Sequence, residues 1–218
     1  MPDFALMREN MVKGQVIPEE VVNPSVLNAL LEIPRELFVP RQLARVAYMD
    51  SNFSFKKGRI LLRPATLARM IQALHPKPTD TILYLACATG YGPALLGQIG
   101  ARVIALDSDE TFTQEAEQIL RDLHLPNVTV VLSPLEEGWE VEAPYDKILI
   151  EGCIDRLPKT LTSQLKEGGS IVTIKYRQDR GTHAVKLVKM KGAFTEIPLF
   201  DAFAPRLNAF RIQTGFVF

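Results

Sequence analysis

From residue 79 to residue 175 short apolar runs alternate with amphipathic stretches, a rhythm that few architectures accept. Strands are expected near 82–86, 102–106, 128–132, 147–151 and 170–175, and helices near 91–99, 111–123 and 159–166. Right-handed crossovers between such elements give an α/β, doubly wound, mainly parallel sheet with helices on both faces. After residue 176 the stretches 184–190 and 210–218, divided by Gly and Pro, suit antiparallel strands, so a mixed sheet closing on Phe218 is expected.

A sheet of this kind binds ligands beyond the carboxyl ends of its strands. The residues expected there are Ala86, Cys87, Ala88, Thr89 and Gly90, then Asp107 and Ser108, then Ser133, Pro134 and Leu135, and finally Glu151 to Cys153. Ile82 to Ala86 is a short apolar run followed by small residues, a helical segment and a second strand ending in Asp107. That is the layout of a nucleotide-binding βαβ unit, in which Asp107 would meet the hydroxyls of a ribose. The turn lacks a full glycine signature, because Ala stands at 86 and 88 and only Gly90 and Gly92 remain. An Ala held at positive φ there costs roughly 1 to 2 kcal/mol.

At 218 residues, 47% hydrophobic and 23% charged, the chain suits one globular unit with a full core. Residues 1–78 are helical in pattern and punctuated by Pro, and the join to the 79–218 core lies near Pro76-Lys77-Pro78-Thr79. One helix is expected after Asn23-Pro24-Ser25, ended by Pro34, and another from Pro64 with Leu67, Met70, Ile71 and Leu74 on one face. With 25 basic and 25 acidic residues there is no net field to draw nucleic acid or an anionic membrane. The start of the chain carries no signal-peptide pattern, and a cytoplasmic location is the expectation. His75, His124, His183 and the two cysteines show no metal-ligand spacing. Cys87 and Cys153 follow strands that lie side by side in this fold, and free buried thiols are expected ahead of a redox pair. Asp109-Glu110 reads as a helix cap, and Trp139 and Tyr91 as core or crevice wall. Phe216 and Phe218 are expected to pack.

The chain resembles the protein-L-isoaspartate O-methyltransferases over most of its length. The resemblance rests on Met11-Val12-Lys13-Gly14-Gln15, on Glu32-Ile33-Pro34-Arg35-Glu36-Leu37-Phe38-Val39-Pro40, on Ala47-Tyr48-Met49-Asp50, and on later landmarks at Gly138-Trp139, Pro144-Tyr145-Asp146 and Gln164-Leu165-Lys166-Glu167-Gly168-Gly169. It implies a methyltransferase fold with a helical N-terminal extension, S-adenosylmethionine as cofactor, and methyl transfer to an isoaspartyl carboxylate of a protein or peptide. The implied cofactor residues are Ala86, Cys87, Ala88, Thr89, Gly90, Asp107, Ser108, Pro134, Leu135 and Glu151.

Three motifs depart from that pattern. Leu62 stands where the family has a Ser implicated in catalysis, Tyr84, Ala86 and Ala88 replace an acid and glycines, and Ser133-Pro134-Leu135 replaces a Gly-Asp-Gly. Losing two or three polar contacts weakens binding by roughly ten- to a thousandfold. Arg63 is a candidate to orient a carboxylate through its planar fork. Lys56, Lys57 and Arg59 either draw acidic peptide to the cleft or form a solvated loop. Two functions follow: the family's methyl transfer, or a non-catalytic or repurposed binding protein on the same fold that no longer uses S-adenosylmethionine.

Overall fold

The computed structural model describes residues 2–179 and 181–212. The N-terminal part carries α1 (Phe4–Met11), α2 (Pro24–Glu32), a small hairpin of β1 (Phe53–Ser54) and β2 (Ile60–Leu61), and α3 (Pro64–Leu74). Asn23 caps α2 by accepting from the Ser25 and Val26 amides, with Pro24 in the first turn where its missing N–H costs nothing. Alternation then follows through β3 (Thr81–Leu85), α4 (Tyr91–Ile99), β4 (Arg102–Asp107), α5 (Glu110–Asp122), β5 (Val128–Leu132), β6 (Tyr145–Ile154), α6 (Lys159–Ser163) and β7 (Leu165–Arg177). Asp109 caps α5 through the Thr111 and Phe112 amides, as expected.

Seven strands form one sheet in the order β5-β4-β3-β6-β7-β8-β9, where β8 is Gly181–Met190 and β9 is Ala193–Asp201. The pairings from β5 to β7 are parallel, and β8 and β9 run antiparallel. The expected strand at 210–218 falls mostly outside the described residues, and β8 lies between β7 and 193–201. The reason is local: Lys191 and Gly192 both take positive φ, at 53° and 75°, a two-residue turn that folds the chain straight back with Met190 opposite Ala193. Phe210 is buried in a short 3-10 turn (Asn208–Phe210), while residues 213–218, with Phe216 and Phe218, lie outside the described residues.

One continuous apolar cluster joins Met11, Val16, Leu30, Phe38 and Leu62 of the N-terminal part to Ile82, Tyr84, Tyr91 and Val103 beside the sheet. The extension is thereby packed against the sheet and α4. Since β3 leads through α4 to β4 on one side and has β6 on the other, the topological switch lies between β3 and β6. Among the described residues no helix is long and apolar enough to cross a membrane.

Candidate active site

The bend after β3 takes a left-handed conformation at Ala86 (φ 60°), Ala88 (φ 45°) and Gly90 (φ 92°). Two alanines in the left-handed region cost roughly 1 to 2 kcal/mol each. Hydrogen bonds hold them there: the Cys87 amide donates to the Leu106 carbonyl at 3.2 Å, and the Gly90 amide to the Cys87 carbonyl at 2.8 Å. The Ala88 amide donates to Asp107 Oδ2 at 3.0 Å.

Asp107 stands at the end of β4 as expected and is fully buried. Besides Ala88, the Asp109 amide donates to its Oδ1 at 3.1 Å. The remaining acceptor sites belong to Arg59, whose Nε donates to Oδ2 at 2.8 Å and Nη2 to Oδ1 at 2.9 Å. Arg59 Nη2 also donates to Ser108 Oγ at 2.9 Å. A carboxylate accepts about four hydrogen bonds, so Asp107 is saturated. Arg59 is thus neither a solvated loop cation nor a lure for acidic peptide; it is 5% exposed and paired inside the protein.

A second buried carboxylate, Glu151 of β6, closes the other end of the same track. The Tyr84 hydroxyl donates to Glu151 Oε2 at 2.6 Å, and the Leu62 amide to Oε1 at 3.1 Å. Burial pushes the Glu151 carboxyl up to about 7, against the opposing pull of those two donors and of Arg35. Tyr84 lies across the first turn of α4, where a Cβ on Gly92 would come within 1.9 Å of the Tyr84 hydroxyl. Gly92 is therefore the partner of this tyrosine and no part of a phosphate-type turn.

Sequence reading assigned no role to Arg35, whose position in the Pro-Arg-Glu run proves structural. It is wholly buried, its Nε donates to the Ala47 carbonyl and its Nη2 to the Leu62 carbonyl, both at 2.8 Å, and its guanidinium lies 5.0 Å over the Tyr91 ring. Leu62 is consequently gripped on both sides, by Arg35 at its carbonyl and Glu151 at its amide.

Arg63 turns its fork to the N-terminal part, onto Asp50 at 3.0 and 3.1 Å and Glu19 at 2.5 Å, with Nε on Thr66 Oγ1 at 2.9 Å. Lys57 pairs with Asp109. The Thr89 hydroxyl donates to the Phe38 carbonyl at 2.7 Å, Leu135 is buried and Pro134 is exposed. Cys87 and Cys153 are free and buried, and burial pushes both thiols up, Cys153 to about 12. An open cavity of about 510 Å³ adjoins this cluster, lined by Phe55, Lys57, Thr89, Asp109 and Phe112 among others.

The family model described as protein-L-isoaspartate(D-aspartate) O-methyltransferase matches residues 7–196. A protein-L-isoaspartate O-methyltransferase of Helicobacter pylori strain G27 is 36% identical over 168 residues, 75% of this chain and 80% of the relative. Another, from Methanoculleus marisnigri, is 32% identical over 208 residues and covers 94% of each chain. The chain belongs to the protein-L-isoaspartate O-methyltransferase family. A solved Plasmodium falciparum structure of that description, in complex with S-adenosyl-L-homocysteine, superposes with a TM-score of 0.79 at 17% identity over 96% of this chain and 100% of that one. A second solved protein-L-isoaspartate O-methyltransferase gives 0.79 at 21% identity, over 91% and 65%. At such identities the two structures speak for the fold.

The chemistry of the protein-L-isoaspartate O-methyltransferase family is S-adenosylmethionine-dependent methylation of isoaspartyl residues. Tested against that cofactor, the residues present do not fit while Arg59 stays in place. Asp107 has no acceptor left for a ribose diol, and Tyr84, Leu62, Glu151 and Asp107 are each 1% exposed or less.

Proposed function

We propose that this family member acts in the cytoplasm on protein or peptide carrying isoaspartyl residues, and that methyl transfer belongs to a form of the cleft in which Arg59 has left Asp107. The observation that carries this reading is the carboxylate of Asp107 at the end of β4, which the Ala88 and Asp109 amides bond independently of Arg59. The site is thus preset on rigid backbone. An isoaspartyl carboxylate, with a pKa of roughly 4, is ionised at neutral pH and needs no general base. Alignment and exclusion of water then supply the rate, which suits walls as dry as Leu62 and Tyr84.

A second reading, a non-catalytic binding protein, is favoured by Leu62. It brings no hydroxyl to the place of the family's Ser, and its backbone is tied at both ends. Methyl release measured on an isoaspartyl peptide, beside its normal aspartyl twin, tests the two. Turnover confined to the isoaspartyl peptide supports the first reading; peptide binding with no methyl transfer supports the second.

A further inference from the structure

We infer that Arg59 is a built-in occupant of the cofactor cleft, sitting where a ribose diol would sit and keeping nucleoside ligands out until the 55–59 turn lifts. The inference rests on the methyl-transfer reading above and adds a residue that sets cofactor affinity. A diol donates two hydrogen bonds to one carboxylate, and the Arg59 fork already makes that pair, with charge in its favour. The occupancy is mutually exclusive, because the other two acceptor sites of Asp107 are held by backbone amides that cannot leave without unwinding the bend.

Arg59 closes the turn of a short hairpin whose second strand, Ile60 and Leu61, is buried in the core, so the 55–59 turn is the part free to move. The hairpin pairs only Phe53 with Leu61 and Ser54 with Ile60, and the Phe55 amide adds one bond to the Arg59 carbonyl at 2.8 Å. Its turn passes through Lys57 at φ 55° and Gly58 at φ 71°. Contacts that latch the turn to the core include Arg59 on Asp107 and Ser108, Lys57 on Asp109, and the Phe55 ring 5.9 Å from that of Phe112. The cavity of about 510 Å³ lies against the same turn, which therefore has open space beside it.

Calorimetric titration of the full chain with S-adenosylhomocysteine, compared with Arg59→Ala and Arg59→Lys, tests this. The unaltered chain is expected to bind weakly, with a Kd on the order of 1 mM, and Arg59→Ala to bind at least about tenfold more tightly. Arg59→Lys leaves a cation beside Asp107 and so guards against a misfolded alanine variant; its point charge cannot cover both oxygens, and an intermediate affinity is expected. Equal micromolar binding by all three proteins overturns the latch and leaves the methyl-transfer reading standing. Binding by none overturns both, since removing the occupant then opens nothing.

Discussion

Glu151 should make the protein less stable as pH rises through neutrality, and Glu151→Gln should remove that dependence. The carboxyl lies wholly inside the protein, facing the Tyr84 hydroxyl, the Leu62 amide, the Arg35 guanidinium and, with opposite effect, the Asp107 carboxylate. Burial lifts it to about 7 from an ordinary 4.5. Between those values the folded chain keeps a proton that the unfolded chain has released, so ΔG of unfolding falls across the window and levels off above it. Each tenfold difference in proton affinity between the folded and unfolded chains is worth about 1.36 kcal/mol. The gap between Glu151→Gln and the unaltered chain should therefore move by about 2–3 kcal/mol between about pH 5 and about pH 8, in favour of the glutamine protein at the higher pH. Urea unfolding at half-unit steps, with a constant m-value, measures it. Parallel curves across that range would refute the reasoning, because they would mean that Arg35 already holds Glu151 ionised against the cost of burial.

Gly92→Ala should destabilise by about 1–3 kcal/mol or more, since its Cβ would meet the Tyr84 hydroxyl at 1.9 Å and the ring at 2.3 Å, and chemical denaturation should find most of that loss relieved in a Tyr84→Leu background. Arg59→Met should cost about 3–5 kcal/mol by stranding the buried Asp107 carboxylate, and adding Asp107→Asn should recover part of it; a strictly additive double-mutant cycle would contradict the pairing.

The parallel part of the sheet was legible because buried strands and amphipathic helices write their periods into residues 82–151, and because Asn23 and Asp109 cap helices by local chemistry. The C-terminal pairing was less legible. Lys191-Gly192 is a weaker hairpin signal than Asn-Gly, and the apolar Phe210–Phe218 stretch looked like the better strand. At the site, the position of Asp107 and the bend at 86–90 could be read from spacing, since both follow from where a strand ends. The partner of Asp107 could not. Arg59 is 48 residues away in sequence, and nothing local separates a cation that faces solvent from one that folds back into the core.

The replacements at this site form one interlocked set. Tyr84, standing where the family has an acid, needs Gly92 beneath it and Glu151 to accept its hydroxyl proton. Glu151 in turn binds the Leu62 amide, whose carbonyl is held by Arg35, and that segment delivers Arg59 to Asp107 three residues earlier. Restoring an acid at 84 alone would bring a second buried carboxylate toward Glu151, where like charges disfavour one another's ionised form. Restoring a Ser at 62 alone would empty a filled core position while its backbone stayed tied. Neither single change touches the Arg59 fork on Asp107, so the affinity of the cleft for a nucleoside is governed at residue 59 and only then at the motif positions that drew attention in the sequence.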